Sequence, residues 1–391
     1  MTTTAESVRA RKTLLVMLAV VFLGVSERSF YDHRHLREPV VLGPGVTRVT
    51  TLGDYEPSLR GTVNDSQVYV LEGKEPGGTA LVFGGTHAEE PAGRLAAWLV
   101  VEHAVVERGR LIVALSANRS ASLVTRPGAA YPPTFTIPTA WGGQTFRMGD
   151  RWTSPLDQWP DPEVYIHAPS GQYLAYMDIR NLNRSFPGRA NGTLTERTTF
   201  AFMELIRREK VDVAIDLHEA ELQYPVISTI VTHQKGQDMA TMVSMTLTDL
   251  EGFKIGTEFS PLNLHGLSHR EIGDHSQAVS LLFEAPEPFL DATRGRTNAD
   301  VLLTGKDEFV MKAGKKGLLF ETIDETGWPI AKRVGRHTSS IAQTLETWTE
   351  DTPGRAIKVR DIPRYVDVVA RGVGAYLRNP ASVPPARLSY E

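Results

Sequence analysis

The sequence predicts an α/β fold built on a single mixed, mainly parallel sheet flanked by helices. The first observation is the apolar run Thr79-Ala80-Leu81-Val82-Phe83, followed by Ala92, Leu95, Ala96, Leu99, Val100 and Ala104 at helical spacing and then by Arg110-Leu111-Ile112-Val113-Ala114-Leu115. Strand, helix, strand in that order is a right-handed crossover between parallel neighbours. The second is a repeat of the pattern downstream, where an amphipathic helix over 194–210 feeds the strand 211–219. The third is that no low-complexity linker or internal repeat divides the 391 residues, whose 41% hydrophobic content suffices for one large core.

Taken in order, Arg9, Arg11 and Lys12 precede an apolar stretch from Thr13 to Val25. A basic segment before about a dozen apolar residues reads as a signal peptide or signal-anchor over 1–26, since a full span needs about 20. The rest of the chain is then exported, or held by an amino-terminal membrane anchor outside the cytoplasm. Residues 27–66 are polar and connecting, with a short strand at 46–50. Gln67-Val68-Tyr69-Val70-Leu71-Glu72 alternates as a half-exposed strand, and 79–83 reads as a central one. The helix over 90–107 packs on the sheet, and 110–115 is the next buried strand.

A long stretch over 119–177, rich in Pro, Gly, Trp and Tyr, has the length of a functional wall or lid. The helix 194–210 has Thr193 or Thr195 near its start and a stripe of Phe200, Met203, Leu205 and Ile206. A strand over 226–231, a helix over 238–250 and a central strand over 278–283 follow, the last ending on Glu284. Residues 290–330 carry no readable period. Segments 339–349 and 362–377 read as closing helices, which bounds a catalytic domain at 40–378 with its core at 67–290. The tail over 379–391 is Pro-rich and reads as loose.

Composition narrows the chemistry. Net charge is −4, with 42 basic and 46 acidic residues and no long basic run, which argues against nucleic acid as a partner. There is no cysteine, so thiolate sites, cysteine nucleophiles and disulfides are all removed and any metal must rest on His, Asp or Glu.

Those residue types gather at strand ends. Gly84-Gly85-Thr86-His87-Ala88-Glu89-Glu90-Pro91 turns sharply after the 79–83 strand, and Pro91 starts a helix within its first turn. His87 and Glu90 leave from one turn and can converge on a cation at the mouth of the sheet. His218 ends the 211–219 strand and Glu284 ends the 278–283 strand. Two histidines and one glutamate make an open three-ligand zinc site, one Zn²⁺ per chain, and a further glutamate is what such a site needs as general base. Asp216 reads equally as an orienter of the His218 ring or as a strand-end turn former. In Arg180-Asn181-Leu182-Asn183-Arg184-Ser185-Phe186-Pro187-Gly188 an adjacent Asn and Arg can hold a substrate carboxylate by a charge-assisted fork. The polar cluster His265-Gly266-Leu267-Ser268-His269-Arg270-Glu271, with His275, reads as a solvent-facing loop rather than as a pocket wall.

His87-x-x-Glu90, Asn183-Arg184-x-Phe186-Pro187-Gly188 and Asp216-Leu217-His218 occur in the order and approximate spacing of the succinylglutamate desuccinylase and aspartoacylase family, within the carboxypeptidase-A-like zinc hydrolases. Over about residues 67–290 the chain resembles that family. The resemblance implies a zinc-carboxypeptidase-like fold with long active-site loops, and a zinc-dependent hydrolase that cleaves an amide in a small N-acylated amino acid or a peptide. It assigns His87, Glu90 and His218 as ligands, Asn183 and Arg184, with Arg180 beside them, to the substrate carboxylate, and Glu284 as the base acting on metal-activated water. Glu321 is the main rival base, ahead of Glu287. Arg147 or Arg151 is expected to polarise the scissile carbonyl. The chain departs from the family pattern at Ala88-Glu89, Asn181 and Glu219. An exported metallocarboxypeptidase or amidase acting on peptides, cell-wall peptides included, is the alternative reading, and a metal-containing binding protein without turnover is a third.

Overall fold

A computed structural model describes residues 2–125, 131–290 and 297–391. It divides into two compact units, 1–37 and 38–391. The first is the helix α1 (Thr2–Arg34). Its stretch Glu6–Arg34, 29 residues, is long and apolar enough by length and composition to cross a membrane, a test that a signal sequence also meets.

In the second unit, β1 (Pro39–Val41), β2 (Val46–Thr51) and β3 (Gln67–Glu72) precede the crossover β4 (Glu75–Phe83), α2 (Pro91–His103) and β5 (Val105–Ala114). Two small hairpins follow, β6 (Thr134–Thr139) with β7 (Gly142–Arg147) and β8 (Tyr165–Ile166) with β9 (Tyr173–Leu174). Next come α3 (Leu194–Glu209), β10 (Val213–Glu221), β11 (Thr229–Thr232), α4 (Gln237–Thr246), β12 (Gly256–Phe259), α5 (Ser268–His275) and β13 (Val279–Glu287). Closing the chain are α6 (Ala299–Thr304), α7 (Glu308–Lys315), α8 (Ile330–Asp351), β14 (Lys358–Arg360), α9 (Tyr365–Arg371) and β15 (Leu388–Tyr390).

The main sheet runs β12-β11-β13-β10-β4-β5-β3-β2, with β14 added on β5. Its centre, β13, β10, β4 and β5, is parallel, and antiparallel pairings lie to both sides. Strand alternation sorts the side chains into two layers. Ala80, Val82, Leu111, Val113, Ile215 and Leu217 pack with α2 and α8 on one face, while Leu81, Phe83, Ile112, Ala114 and Ala214 meet Phe202, Leu205 and Ile206 of α3 on the other. A sheet covered on both faces needs apolar residues at every position, which is why these strands read as continuous apolar runs. At Gly93, α2 comes so close to β10 that a Cβ would sit 2.5 Å from the Leu217 carbonyl oxygen. The α3 N-cap is Thr193 rather than Thr195: its hydroxyl accepts from Glu196 N, and the Glu196 carboxylate accepts from Thr193 N.

Three expectations change. The 119–177 stretch contains the two hairpins, whose strands are too short to set a readable period. The closing helices shift: α8 begins at Ile330, and the second shrinks to α9 and a 3₁₀ turn at Val373–Ala375. The tail is not loose. β15 pairs antiparallel with β1, Gln67 Nε2 donates to the Tyr390 carbonyl at 2.9 Å, and Glu391 is buried. A pairing partner near the other end of the unit leaves no local trace in sequence.

A buried ion cluster fixes the β6–β7 hairpin. Arg94 of α2 donates through both Nη atoms to the two oxygens of Glu38, each at 2.8 Å, and Arg147 Nη1 reaches the same carboxylate at 2.5 Å. Burial works against the Glu38 charge, but the two guanidiniums win and hold its pKa below the ordinary carboxylate range. Glu38→Ala leaves both cations buried and unpaired, so unfolding in urea should show a loss of about 3–5 kcal/mol.

Candidate metal centre

Gly85 takes φ +68° at the end of β4, and a Cβ there would lie 3.0 Å from the Leu115 carbonyl oxygen, so the turn that presents His87 calls for glycine. Glu90 is the residue before Pro91, which opens α2 at its first position. Across the parallel pairing of β4 with β10, the strand alternation brings Asp216 and His218 to the same side.

His87, Glu90 and His218 converge, with one donor atom from each within 4.8 Å of the others, and all three are buried. The Glu90 carboxylate lies between the rings: Oε1 is 2.6 Å from His87 Nδ1 and Oε2 is 2.9 Å from His218 Nδ1. Both Nδ1 atoms therefore face inward, and each Nε2 meets an outer oxygen. His87 Nε2 is 2.9 Å from Asn181 Oδ1, and His218 Nε2 is 2.9 Å from Asp216 Oδ2 without the alignment of a hydrogen bond. Thr86 and Ser268 donate their hydroxyls to Asp216 at 2.8 and 2.6 Å. Asp216 lies inside β10 and is therefore not a strand-end turn former.

The two rings titrate in opposite directions. Burial, then the Arg151 charge, depresses His87 to about 4. For His218 burial also opposes protonation, but Asp216 and Glu90 outweigh it and raise the ring well above its usual range. Burial would raise Glu90, yet the two imidazoles hold it well below the ordinary carboxylate range.

A cleft of about 430 Å³ opens over this group, lined among others by Arg151, Asn183, Arg184, Tyr224, His269 and Glu284. A larger hollow of about 760 Å³ beside α3 contains none of these residues. Glu284 stands in register with His218 on the neighbouring parallel strand, and its Oε2 has no hydrogen-bond partner among the described residues. Burial pushes its carboxyl well above the ordinary range, with His218 pulling the other way. Glu321 instead accepts from Ser228 and is absent from the cleft lining. Glu287, fully buried, is not in the lining either.

Of the expected arginines, the fold brings two to the cleft. Arg151 Nε donates to Glu89 at 3.0 Å and Nη2 to Glu90 at 3.2 Å. Arg184 has no carboxylate within 4 Å among the described residues, and its Nη1 donates to the Asn183 carbonyl at 2.7 Å. Arg147 is held by Glu38, away from the cleft. Arg180 donates to Asp161 at 2.6 Å and lies outside the cleft as well.

Sequence reasoning passed over α5. His269, Arg270 and Glu271 are each 5% exposed or less, so the segment expected to face solvent forms a wall of the site. Ser268 N donates to Asn183 Oδ1 at 2.7 Å, which leaves the Asn183 amide nitrogen to donate elsewhere. His269 lines the cleft with Nδ1 unpartnered among the described residues, and burial, then the His218 charge, depresses it to about 3. Asn181 was missed although it stands inside the Asn-Leu-Asn-Arg motif.

No family model matches the sequence, and no curated protein does. Among solved structures the chain is similar to the ectoine utilization protein EutE (DoeB) from Ruegeria pomeroyi, at 17% identity over 56% of this chain and 53% of that one, with a TM-score of 0.33. An aspartoacylase family protein from Mesorhizobium loti gives 20% identity, 56% and 55% coverage and a TM-score of 0.34. A metallo-carboxypeptidase from Burkholderia cenocepacia gives 12% identity, 83% and 69% coverage and a TM-score of 0.46. The chain spans about half the length of the first two. At such likeness no activity passes from these structures to this chain.

Proposed function

We propose that the protein is a zinc-dependent hydrolase of an amide bond in an N-acyl amino acid or related carboxylate-bearing substrate. The observation that carries this reading is the inward-facing set of His87 Nδ1, Glu90 and His218 Nδ1, with Glu284 in register beside His218 in the same cleft. Two imidazole nitrogens and a carboxylate, with both Nε2 atoms facing fixed oxygens, suit a catalytic zinc with an open position. Bound zinc supplies a water of lowered pKa and polarises a carbonyl. The protein's own part is positional and acid-base. Glu284 takes the proton of the attacking water and returns it to the leaving amine nitrogen. Arg151, beside His87, offers positive charge where the oxyanion develops. Arg184 and the Asn183 amide hold the substrate carboxylate. With α1 as leader or anchor, this chemistry takes place outside the cytoplasm.

The direct test is release of free amine from a panel of N-acyl amino acids and peptides by zinc-loaded protein. Hydrolysis of none of them, with zinc bound, would overturn the reading. Arg184→Met should raise KM for carboxylate substrates by about 10- to 100-fold while moving kcat little, the expected loss of one charge-assisted contact of about 1.5–3 kcal/mol.

One observation supports the peptide alternative. Glu221 and Glu258 line the same cleft, and neither has a cation within 4 Å among the described residues. A peptide with a free amine would answer those carboxylates, whereas an N-acyl amino acid with an uncharged or acidic side chain has no positive charge to offer. Comparing kcat/KM for dipeptides and their N-acetylated counterparts separates the two.

A further inference from the structure

A second group of metal-ligating side chains converges on the far side of α5. His167 from the β8–β9 hairpin, His265 from the loop before α5 and Glu271 on α5 each offer a donor atom, and these three atoms lie within 4.8 Å of one another. His275, one turn along α5, brings Nε2 to 3.2 Å from Glu271 Oε2. The other oxygen, Oε1, is 2.8 Å from His265 Nδ1 and accepts from Gly266 N at 3.0 Å. Glu271 is 1% exposed. A buried carboxylate with an imidazole nitrogen on each oxygen is the arrangement already described at Glu90.

The surroundings of His167 extend the parallel. Its Nε2 lies 2.5 Å from the Phe186 carbonyl oxygen and so must carry the ring proton. Nδ1 keeps the lone pair, which accepts from the Ser170 hydroxyl at 2.7 Å, so a metal bound there replaces that hydrogen bond. A fixed oxygen thus sets the tautomer of this ring, as Asn181 does for His87.

We propose that His167, His265 and Glu271, with His275 beside the carboxylate, form a second divalent-metal site, of the nitrogen-rich kind that zinc takes. Its role is structural. Ser268, on the same short helix, holds Asn183 through its N–H and Asp216 through its hydroxyl. A metal bridging α5 to the β8–β9 hairpin fixes the helix that orients the cleft.

The test is zinc content by elemental analysis of the full chain, dialysed in dilute zinc chloride, for wild type, His218→Ala, His265→Ala/His275→Ala and the triple variant. The side chains of His265 and His275 are 32% and 41% exposed, so their truncation spares the core, and circular dichroism checks the fold. Two equivalents in wild type, one in each of the two partial variants and none in the triple variant are expected. Stoichiometry unchanged by His265→Ala/His275→Ala overturns the proposal and shows a hydrogen-bonded ion cluster only, with the cleft site untouched. Metal lost in that variant but not in His218→Ala upholds the second site and removes the first.

Discussion

His218→Ala is expected to release the cleft's metal and with it nearly all hydrolysis, a fall of at least about 10³ in kcat/KM. The substitution removes one of three inward donors and leaves Glu90 and Asp216, both buried, without the imidazole that lies between them. Part of the loss will therefore show as reduced stability of the cleft. Elemental analysis alongside circular dichroism separates the two: a folded variant without the cleft's zinc equivalent supports the ligand role, and a folded variant that keeps it and its activity refutes that role.

Glu284→Gln should leave metal content and KM close to wild type and lower kcat by about 10²- to 10⁴-fold, the range for a lost general base. The amide preserves size but cannot take a proton. Glu321→Gln is the matching control: its carboxylate accepts from Ser228 away from the cleft, so kcat should stay at the wild-type level. The opposite pattern would move the base to Glu321.

The central strands were legible because a sheet covered on both faces imposes unbroken apolar runs. His87, Glu90, His218 and Glu284 were legible because each stands where such a run stops. What sequence could not show was which neighbours share a side chain's surroundings. Arg147 and Arg151 are four residues apart in one stretch, yet Glu38 draws the first into the core and Glu89 the second into the cleft. The α5 segment misled for a similar reason: Ser268, His269 and Glu271 are polar, but their partners are Asn183, Asp216, Gly266 and His265 rather than water. Polarity predicts exposure only when no buried partner exists, and partners distant in sequence are invisible in it.

The hydroxyls that clasp Asp216 come from Thr86, 130 residues before it, and from Ser268, 52 residues after it. The main-chain N–H that secures Glu90 belongs to Glu219, 129 residues away. Closing loops of that length is entropically unfavourable until the parallel strands between them have paired, and such topologies fold slowly. The centre is thus a late product of folding. Metal that binds only the finished arrangement cannot act as a template for it, but it slows its loss, so chelator should shorten the lifetime of the native state far more than it delays its formation.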